Sequence, residues 1–468
     1  MTIIHISAEC YPVAKVGGLA DVVGALPKYQ KSSEDNSQVI MPFYDNKFTK
    51  ENAFTTVYSN NVTLGNNLIG FNVLTLTEKP LDFDVFFIDI PDLLFREYVY
   101  SSDDTERFLA FQIAALDWLL TWDNYPDIIH CHDHHTGLIP FMLQESYKYE
   151  AFRKIPNIVT IHNAQYQGWF SHLKVGLIPP FNFDHVGLLD WGGTINPLAS
   201  AIKCAWHVTT VSPSYMEELK LAANGLESLL SAESDKCSGI LNGIDTDVWN
   251  PETDYYIEAN YNIKTVKAGA EANKKFLCDT FNLDFEKPLF AFIGRLVGEK
   301  GSDLFPEVFK EALDNNNLNI LLLGSGNDFV EQQLETLKKD YIGTYNAFIG
   351  YDEKLSHIIY AGADFLLMPS RVEPCGLNQM YALRYGTIPI VRSIGGLKDT
   401  VTDISEENGF GICHNNVTIS EITNAINRGV TLYKNQKKYK KTRNTIMEID
   451  HSWHVSAAEY KNLYKSIN

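Results

Sequence analysis

Glu373 stands in the stretch Pro369-Ser370-Arg371-Val372-Glu373-Pro374-Cys375-Gly376-Leu377, between the apolar run Asp364–Met368 and a helical pattern that ends near Gly386. A carboxylate in that place can accept hydrogen bonds from sugar hydroxyls. The glycine that follows frees backbone N–H groups at a helix start, which suits a phosphate. The stretch therefore suits a ligand both hydroxylated and anionic, with Glu373 holding a sugar and the Gly376-Leu377 turn a phosphate. The run before it reads as a buried parallel strand, and in a doubly wound sheet ligands bind in the crevice at the carboxyl ends of the strands.

A second glycine turn lies near the start of the chain, in Lys15-Val16-Gly17-Gly18-Leu19-Ala20-Asp21. Gly17 and Gly18 let the backbone approach a ligand, and Lys15 beside them is a natural phosphate contact. The turn is not G-x-G-x-x-G, so the dinucleotide fingerprint fails here. Ile394-Gly395-Gly396-Leu397-Lys398-Asp399 echoes it in the second half, which suggests two halves of related build. Between them, Ile128-Ile129-His130-Cys131-His132-Asp133-His134-His135 is dense in His and Asp. His130 and His132 share a strand face, but no distant Cys or His motif completes a metal site, and none is expected. Asp133 reads instead as a carboxylate at a strand end pointing into the crevice. His162 ends the β-branched strand Asn157–Ile161 in the same manner.

The elements that must position these groups alternate regularly. Strand patterns at 2–7, 38–44, 126–135 (ending in polar residues) and 157–161, and a helix–strand unit over 202–212, are joined by helical ones such as 105–122, with a β-rich, hairpin-type insertion over 54–90 that turns at Gly65-Asn66-Asn67. A long irregular segment runs from 164 to about 197, as functional loops often do. The segment 246–263, without a clean period, is the candidate hinge. Strands follow at 288–294, 317–323, 345–350, 364–368 and 387–392, then helices at 420–435, 437–447 and 451–467. With 468 residues, 45% apolar and 21% charged, two domains of roughly 200 residues each are expected. The formal charge of −19, from 39 basic and 58 acidic residues, argues against nucleic acid or an anionic membrane as partner. An anionic substrate then needs a local cationic cluster, which screening over about 8 Å makes compatible with an acidic surface. Seven scattered cysteines without a C-x-x-C pair fit a reduced cytoplasmic compartment. No apolar run reaches membrane-spanning length, and the first residues enter a strand without a secretion-signal pattern.

Taken together, Lys15–Val22, His162-Asn163, Gly239-Ile240-Leu241-Asn242-Gly243-Ile244-Asp245, Arg295-Leu296 with Lys300-Gly301, Glu373–Leu377 and Gly395-Gly396-Leu397 resemble bacterial glycogen synthases and the related starch synthases, across essentially the whole chain. The resemblance implies an α/β, GT-B architecture, two Rossmann-like domains facing across a deep cleft. The first would span 1–246 and be joined by a C-terminal helix at 452–468, and the second, which binds the nucleotide sugar, would span 247–451. It also implies retaining transfer of glucose from ADP-glucose to the non-reducing end of an α-1,4-glucan in glycogen biosynthesis, without metal or cofactor.

Carried over by position, Arg295 and Lys300 resemble the pair that binds the diphosphate, Glu373 the glutamate on the donor glucose, and Gly376 with Leu377 the phosphate turn. His162 matches the histidine beside the transferred glucose and Asp133 the aspartate at the donor–acceptor junction. Lys15, Gly17 and Gly18 match the glycine loop over the phosphates, Tyr351 the aromatic residue against adenine, and Asn242 a cleft-lining asparagine. Cys375 lies beside the site as a small buried residue. The chain departs from the pattern at His134, where the family generally has Trp, and at Val16, Asn378 and Ile394. Asp133 and Glu373 could also be a glycosidase pair, but a hydrolase has no use for Arg295 with Lys300. Closer alternatives are a UDP-glucose user and a transferase with another acceptor. The chief non-enzyme alternative, a glucan-binding protein without activity, would predict losses among Arg295, Lys300 and Glu373, and all three are present.

Overall fold

Buried parallel strands are built from continuous apolar runs, and the chain holds two sets of them. The computed structural model describes residues 1–468. They divide into two compact units, Met1–Leu241 with Trp453–Asn468, and Asn242–Ser452.

The first unit contains β1 (Thr2–Ile6), β2 (Asn36–Pro42), β3 (Phe54–Leu64), β4 (Asn67–Leu76), β5 (Asp84–Asp89), β6 (Ile128–His132), β7 (Asn157–Ile161), the short hairpin of β8 (Asp190–Trp191) and β9 (Thr194–Ile195), β10 (His207–Thr210) and β11 (Cys237–Gly239). Its main sheet runs β11-β10-β7-β6-β1-β2-β5-β4-β3. All neighbours are parallel from β11 to β5, and β4 and β3 add an antiparallel edge. Gly65, with φ of 62°, makes the hairpin turn between β3 and β4, as its sequence suggests. The rest of the expected insertion is different. Strand β5 pairs parallel with β2 and is an inner strand of the sheet. The long segment after β7 is likewise not wholly irregular, since it carries the β8–β9 hairpin and two short 3-10 helices, His172–Leu177 and Phe183–Leu188.

The C-terminal helix Trp453–Ile467 belongs to this unit. Trp453, Ala457, Tyr460 and Tyr464 pack with Ile3, Val22, Leu26, Ile128 and Ile158. These side chains recur at the three-to-four-residue spacing that gives a helix one apolar stripe.

The second unit is a six-stranded parallel sheet of β12 (Leu289–Ile293), β13 (Asn319–Gly324), β14 (Tyr345–Ile349), β15 (Phe365–Met368), β16 (Ile388–Arg392) and β17 (Ile412–His414). The order β14-β13-β12-β15-β16-β17 is the doubly wound 3-2-1-4-5-6, with its switch point between β12 and β15. Because strand side chains alternate, each strand feeds two cores. Phe290, Phe292, Ile320 and Leu322 pack under the helices Phe305–Asn315 and Ile419–Lys434. Leu289, Ala291, Leu321 and Leu323 pack on the other face, under Val266–Phe281 and Glu353–Gly362.

The segment 246–263, expected as a hinge, is anchored in this unit. Trp249 is sandwiched between His357 and Tyr381, with ring centroids 3.9 and 3.8 Å away. Asp254 accepts from His357 Nδ1 at 2.7 Å and from the Tyr385 hydroxyl at 2.5 Å. No helix of the chain is long and apolar enough to cross a membrane.

Candidate active site

In the second unit the candidate residues cluster at the switch point. Arg295 and Lys300 follow β12, and Glu373 follows β15. Lys300 Nζ lies 2.6 Å from Glu373 Oε2, which also accepts from the Ser370 hydroxyl at 2.9 Å. The lysine is 24% exposed and the glutamate 9%, so the pair has one face open to a ligand. Arg295 is 72% exposed, and its nearest carboxylate, Glu299, is 3.9 Å away. Its charge is therefore available to an anion at little cost in lost partners.

The loop carrying Glu373 is held by glycines that leave no space for a side chain. Gly376 has φ of 74°, and a Cβ there would press on the Gln379 amide. Gln379 Nε2 donates to the carbonyls of Cys375 and Gly376 at 3.1 and 2.9 Å. Leu377 leads into the helix Asn378–Tyr385, whose first turn has no side-chain cap, so its N–H groups remain for an anion. Cys375 is buried, and burial pushes its thiol up to about 12. That thiol is no nucleophile at neutral pH, and the backbone N–H of Asn242 reaches its sulfur. The side-chain oxygen of Asn242 is buried without a protein partner. Tyr351 is 85% exposed and follows β14, two strands from β12.

In the first unit, three strand ends place the other candidates. Asp133 follows β6 with φ of 56°, a left-handed backbone uncommon outside glycine that marks functional sites when buried. Its Oδ1 accepts from the backbone N–H groups of His162 at 2.7 Å and Asn163 at 3.4 Å. Burial still dominates and raises its carboxyl from the ordinary 3.8 to about 7. His162, after β7, is held neutral, since burial lowers it to about 3.

Lys15 pairs with Asp21 at 2.6 Å and is half exposed. The Lys15–Gly18 loop is organised by Glu9, which its sequence context alone did not single out. Its Oε2 accepts from the N–H groups of Val16 at 2.5 Å and Gly17 at 3.0 Å, and its Oε1 from the Tyr100 hydroxyl. The signal was present, because Glu9 is a carboxylate at the end of β1, as Asp133 is at the end of β6.

His134, at the position of the family's Trp, is half-buried and packs against His135 with ring centroids 3.7 Å apart. Its Nδ1 has no protein partner. A Cβ on Gly168 would collide with the His134 ring, so this glycine makes room for the imidazole. Exposed Tyr166 and Trp169 line the same pocket.

The histidines of β6 do approach metal-ligand geometry. Donor atoms of His5, His130 and His132 lie within 4.8 Å of one another. Every one of those six ring nitrogens is already hydrogen-bonded, and a cation would have to break several of these bonds.

The two Gly-Gly-Leu turns differ in what requires them. Gly395 has φ of 46°, and a Cβ there would be driven into the Glu373 carbonyl. Gly396 is packed as closely on Cys375. Gly17 has φ of −139°, and a Cβ on Gly17 or Gly18 would meet nothing within 4 Å. Gly395→Ala should therefore destabilise the protein by on the order of 3–5 kcal/mol. Gly17→Ala should stay within about 0.5 kcal/mol of the parent. Denaturant unfolding of the two variants checks the contrast, and equal losses would contradict it.

Residues 2–232 match the family model of the starch synthase catalytic domain, and residues 274–445 that of the group 1 glycosyl transferases. The chain is 53% identical over 470 residues to the glycogen synthase of Flavobacterium johnsoniae, covering 100% of this chain and 99% of that one. It is 37% identical over 482 residues to the glycogen synthase of Bacillus cereus, covering 100% of each. The catalytic domain of starch synthase IV from Arabidopsis thaliana, solved bound to ADP and acarbose, superposes with a TM-score of 0.85 at 33% identity, over 100% of this chain and 99% of that one. A sucrose-phosphate synthase from Thermosynechococcus elongatus, at 17% identity and a TM-score of 0.61 over 100% and 98% of the two chains, shares the fold. By the two family models and by full-length identity to glycogen synthases, the chain belongs to the glycogen synthase and starch synthase family of retaining GT-B glucosyltransferases.

Proposed function

We propose that the chain transfers glucose from ADP-glucose to the non-reducing 4-OH of an α-1,4-glucan, with retention of configuration, as a cytoplasmic enzyme of glycogen synthesis. The observation that carries this reading is the switch-point cluster of the second unit. An exposed arginine, a part-exposed lysine and the largely buried carboxylate it pairs with follow the two strands of the switch point, where a doubly wound sheet binds its ligand. Arg295 and Lys300 take the diphosphate, whose charge grows as the nucleotide leaves, and Glu373 holds the donor glucose hydroxyls. The uncapped turn at Gly376-Leu377 meets phosphate through its N–H groups, with Cys375 as buried packing below it. Tyr351 lies against the adenine, and Asn242 offers its unpartnered oxygen to the ligand.

From the first unit, Lys15, Gly17 and Gly18 cover the phosphates, while His162 and Asp133 attend the transferred glucose and the incoming hydroxyl. The open space at Gly17 and Gly18 supports this role, since packing does not explain either glycine. No protein nucleophile is assigned. The leaving phosphate itself can take the proton of the attacking hydroxyl on the same face of the sugar. The ADP bound to the Arabidopsis enzyme supports the choice of nucleotide, and seven free cysteines suit a reducing compartment.

A transfer assay with radiolabelled ADP-glucose and UDP-glucose in parallel, using glycogen as acceptor, tests the reading. Incorporation from ADP-glucose at a rate well above that from UDP-glucose is expected. The reverse ratio would reassign the nucleotide, and incorporation from neither would reject the function.

A further inference from the structure

Behind His162 the first unit buries a row of polar side chains that the transfer reaction does not itself require. His162 Nε2 is 3.0 Å from His132 Nδ1, and His132 Nε2 is 3.0 Å from His5 Nδ1. His5 Nε2 is 2.7 Å from Gln30 Oε1, which also accepts from the Ser37 hydroxyl at 2.9 Å. Gln30 Nε2 donates to the Tyr464 hydroxyl at 3.0 Å, and that hydroxyl lies 2.8 Å from His130 Nδ1. His130 Nε2 ends the branch 2.6 Å from the Thr160 hydroxyl, which meets the Thr209 hydroxyl at 2.6 Å. Gln30, His5, His130, His132 and Tyr464 are all fully buried. A polar row without water is stable only if each donor meets an acceptor.

We infer that Gln30, His5 and His132 form a hydrogen-bond relay that fixes His162 in its Nε2–H tautomer, so that its Nδ1 lone pair is held ready to accept from a hydroxyl of the transferred glucose. The direction follows from one end. Gln30 Oε1 can only accept, so His5 Nε2 carries the proton and His5 Nδ1 accepts. His132 Nε2–H then donates to His5, and His162 Nε2–H donates to His132. On the branch, Gln30 Nε2–H leaves Tyr464 free to donate to His130 Nδ1, and His130 Nε2–H donates to Thr160. Every bond closes with all four rings in the Nε2–H form, which the isolated histidine side chain already prefers. Turning the Gln30 amide over would also close the row, but it would require four Nδ1–H rings. Burial keeps the rings neutral: His5 is lowered to about 4 and His130 and His132 well below their ordinary value. A neutral ring with one donor and one acceptor transmits polarity, which an imidazolium cannot.

Gln30, His5 and His132 are thus positioning residues, and the C-terminal helix takes part through Tyr464. The catalytic consequence rests on His162 acting at the donor sugar, but the tautomer itself does not.

Two-bond proton–nitrogen correlation spectra of the full-length protein labelled with 15N-histidine distinguish the two tautomers, and a His162→Asn spectrum assigns the His162 signal. The wild-type protein should show His162 as Nε2–H. Gln30→Met, which removes the fixed acceptor, should average that signal between the tautomers. It should lower kcat roughly tenfold, as loss of an outer partner does at other sites, while the KM for ADP-glucose changes less than twofold. Gln30→Glu, which keeps an acceptor opposite His5, should retain the wild-type signal. An Nδ1–H ring at His162 in the wild-type protein overturns the proposal even if no variant folds, as does an unchanged signal in Gln30→Met. If the protein transferred no glucose at all, the spectra would still decide the tautomer.

Discussion

Replacing Lys300 with alanine should lower the turnover number with ADP-glucose by about 10²–10³, the loss typical of removing one preorganised partner of developing charge. Two effects are combined in that variant. The first is loss of the cation facing the diphosphate. The second is that Glu373 loses its partner at 2.6 Å and keeps only Ser370. With Lys300 about a quarter exposed, water can replace it, and the stability lost should be about 1 kcal/mol, well below that of a sealed pair. Turnover should therefore fall far more than the melting temperature.

Arg295→Ala separates the two effects, because Arg295 holds no close partner to be orphaned. It should cost a similar 10²–10³ in turnover with stability unchanged within about 0.5 kcal/mol. Combining Lys300→Ala with Glu373→Gln removes the uncompensated carboxylate. Recovery of stability without recovery of turnover is the expected pattern. Near-normal turnover in either single variant would reject the diphosphate assignment.

The strand ends after which the candidate residues stand were legible in the sequence. The apolar run Phe365–Met368 reads as a buried strand, so Glu373 falls at its carboxyl end, and Asp133 and His162 follow from the same rule. Their mutual geometry was not legible. His130 and His132 share a face by the period of two, but their third neighbour, His5, arrives through the β1–β6 register that pairs it with His130. Gln30 and Tyr464, 434 positions apart, meet only because the C-terminal helix packs beside the helix Gly18–Gln30. Strand β5 was hidden for a related reason. A parallel pairing has no turn to announce it, and the hairpin signal at Gly65 covered the neighbouring strand. The roles of Arg295 and Lys300 came from family resemblance alone, since an exposed arginine and a lysine after a strand carry no signal in isolation. Even the repeated Gly-Gly-Leu misled in part. One copy is demanded by backbone packing against Glu373 and Cys375, and the other stands in open space.

Asp133→Asn should raise stability at pH 8 and lower activity by about 10², the same preorganised-partner scale applied to a group at the reacting sugar. Asparagine is nearly isosteric with the aspartate it replaces and keeps an oxygen to accept from the N–H groups of His162 and Asn163. What it removes is a buried charge. The folded protein holds the Asp133 proton to about pH 7, whereas the ordinary carboxyl gives it up near 3.8. The folded state therefore binds more protons than the unfolded chain between those values, and stability falls as pH rises through that window. Above pH 7 the full cost is present, at most about 4 kcal/mol from the shift of some three units. If half of it survives in the protein, the variant should melt roughly 4–8 °C higher at pH 8, with little difference at pH 4. The activity of the parent should rise through a titration near pH 7 as the carboxylate forms, and that limb should be missing from the residual activity of the variant. Melting curves at the two pH values, with kcat/KM against pH for both proteins, give the comparison. A variant no more stable at pH 8 than at pH 4 relative to the parent would show that Asp133 is not held protonated in this fold. A limb near pH 7 that persists in the variant would assign the titration to another group.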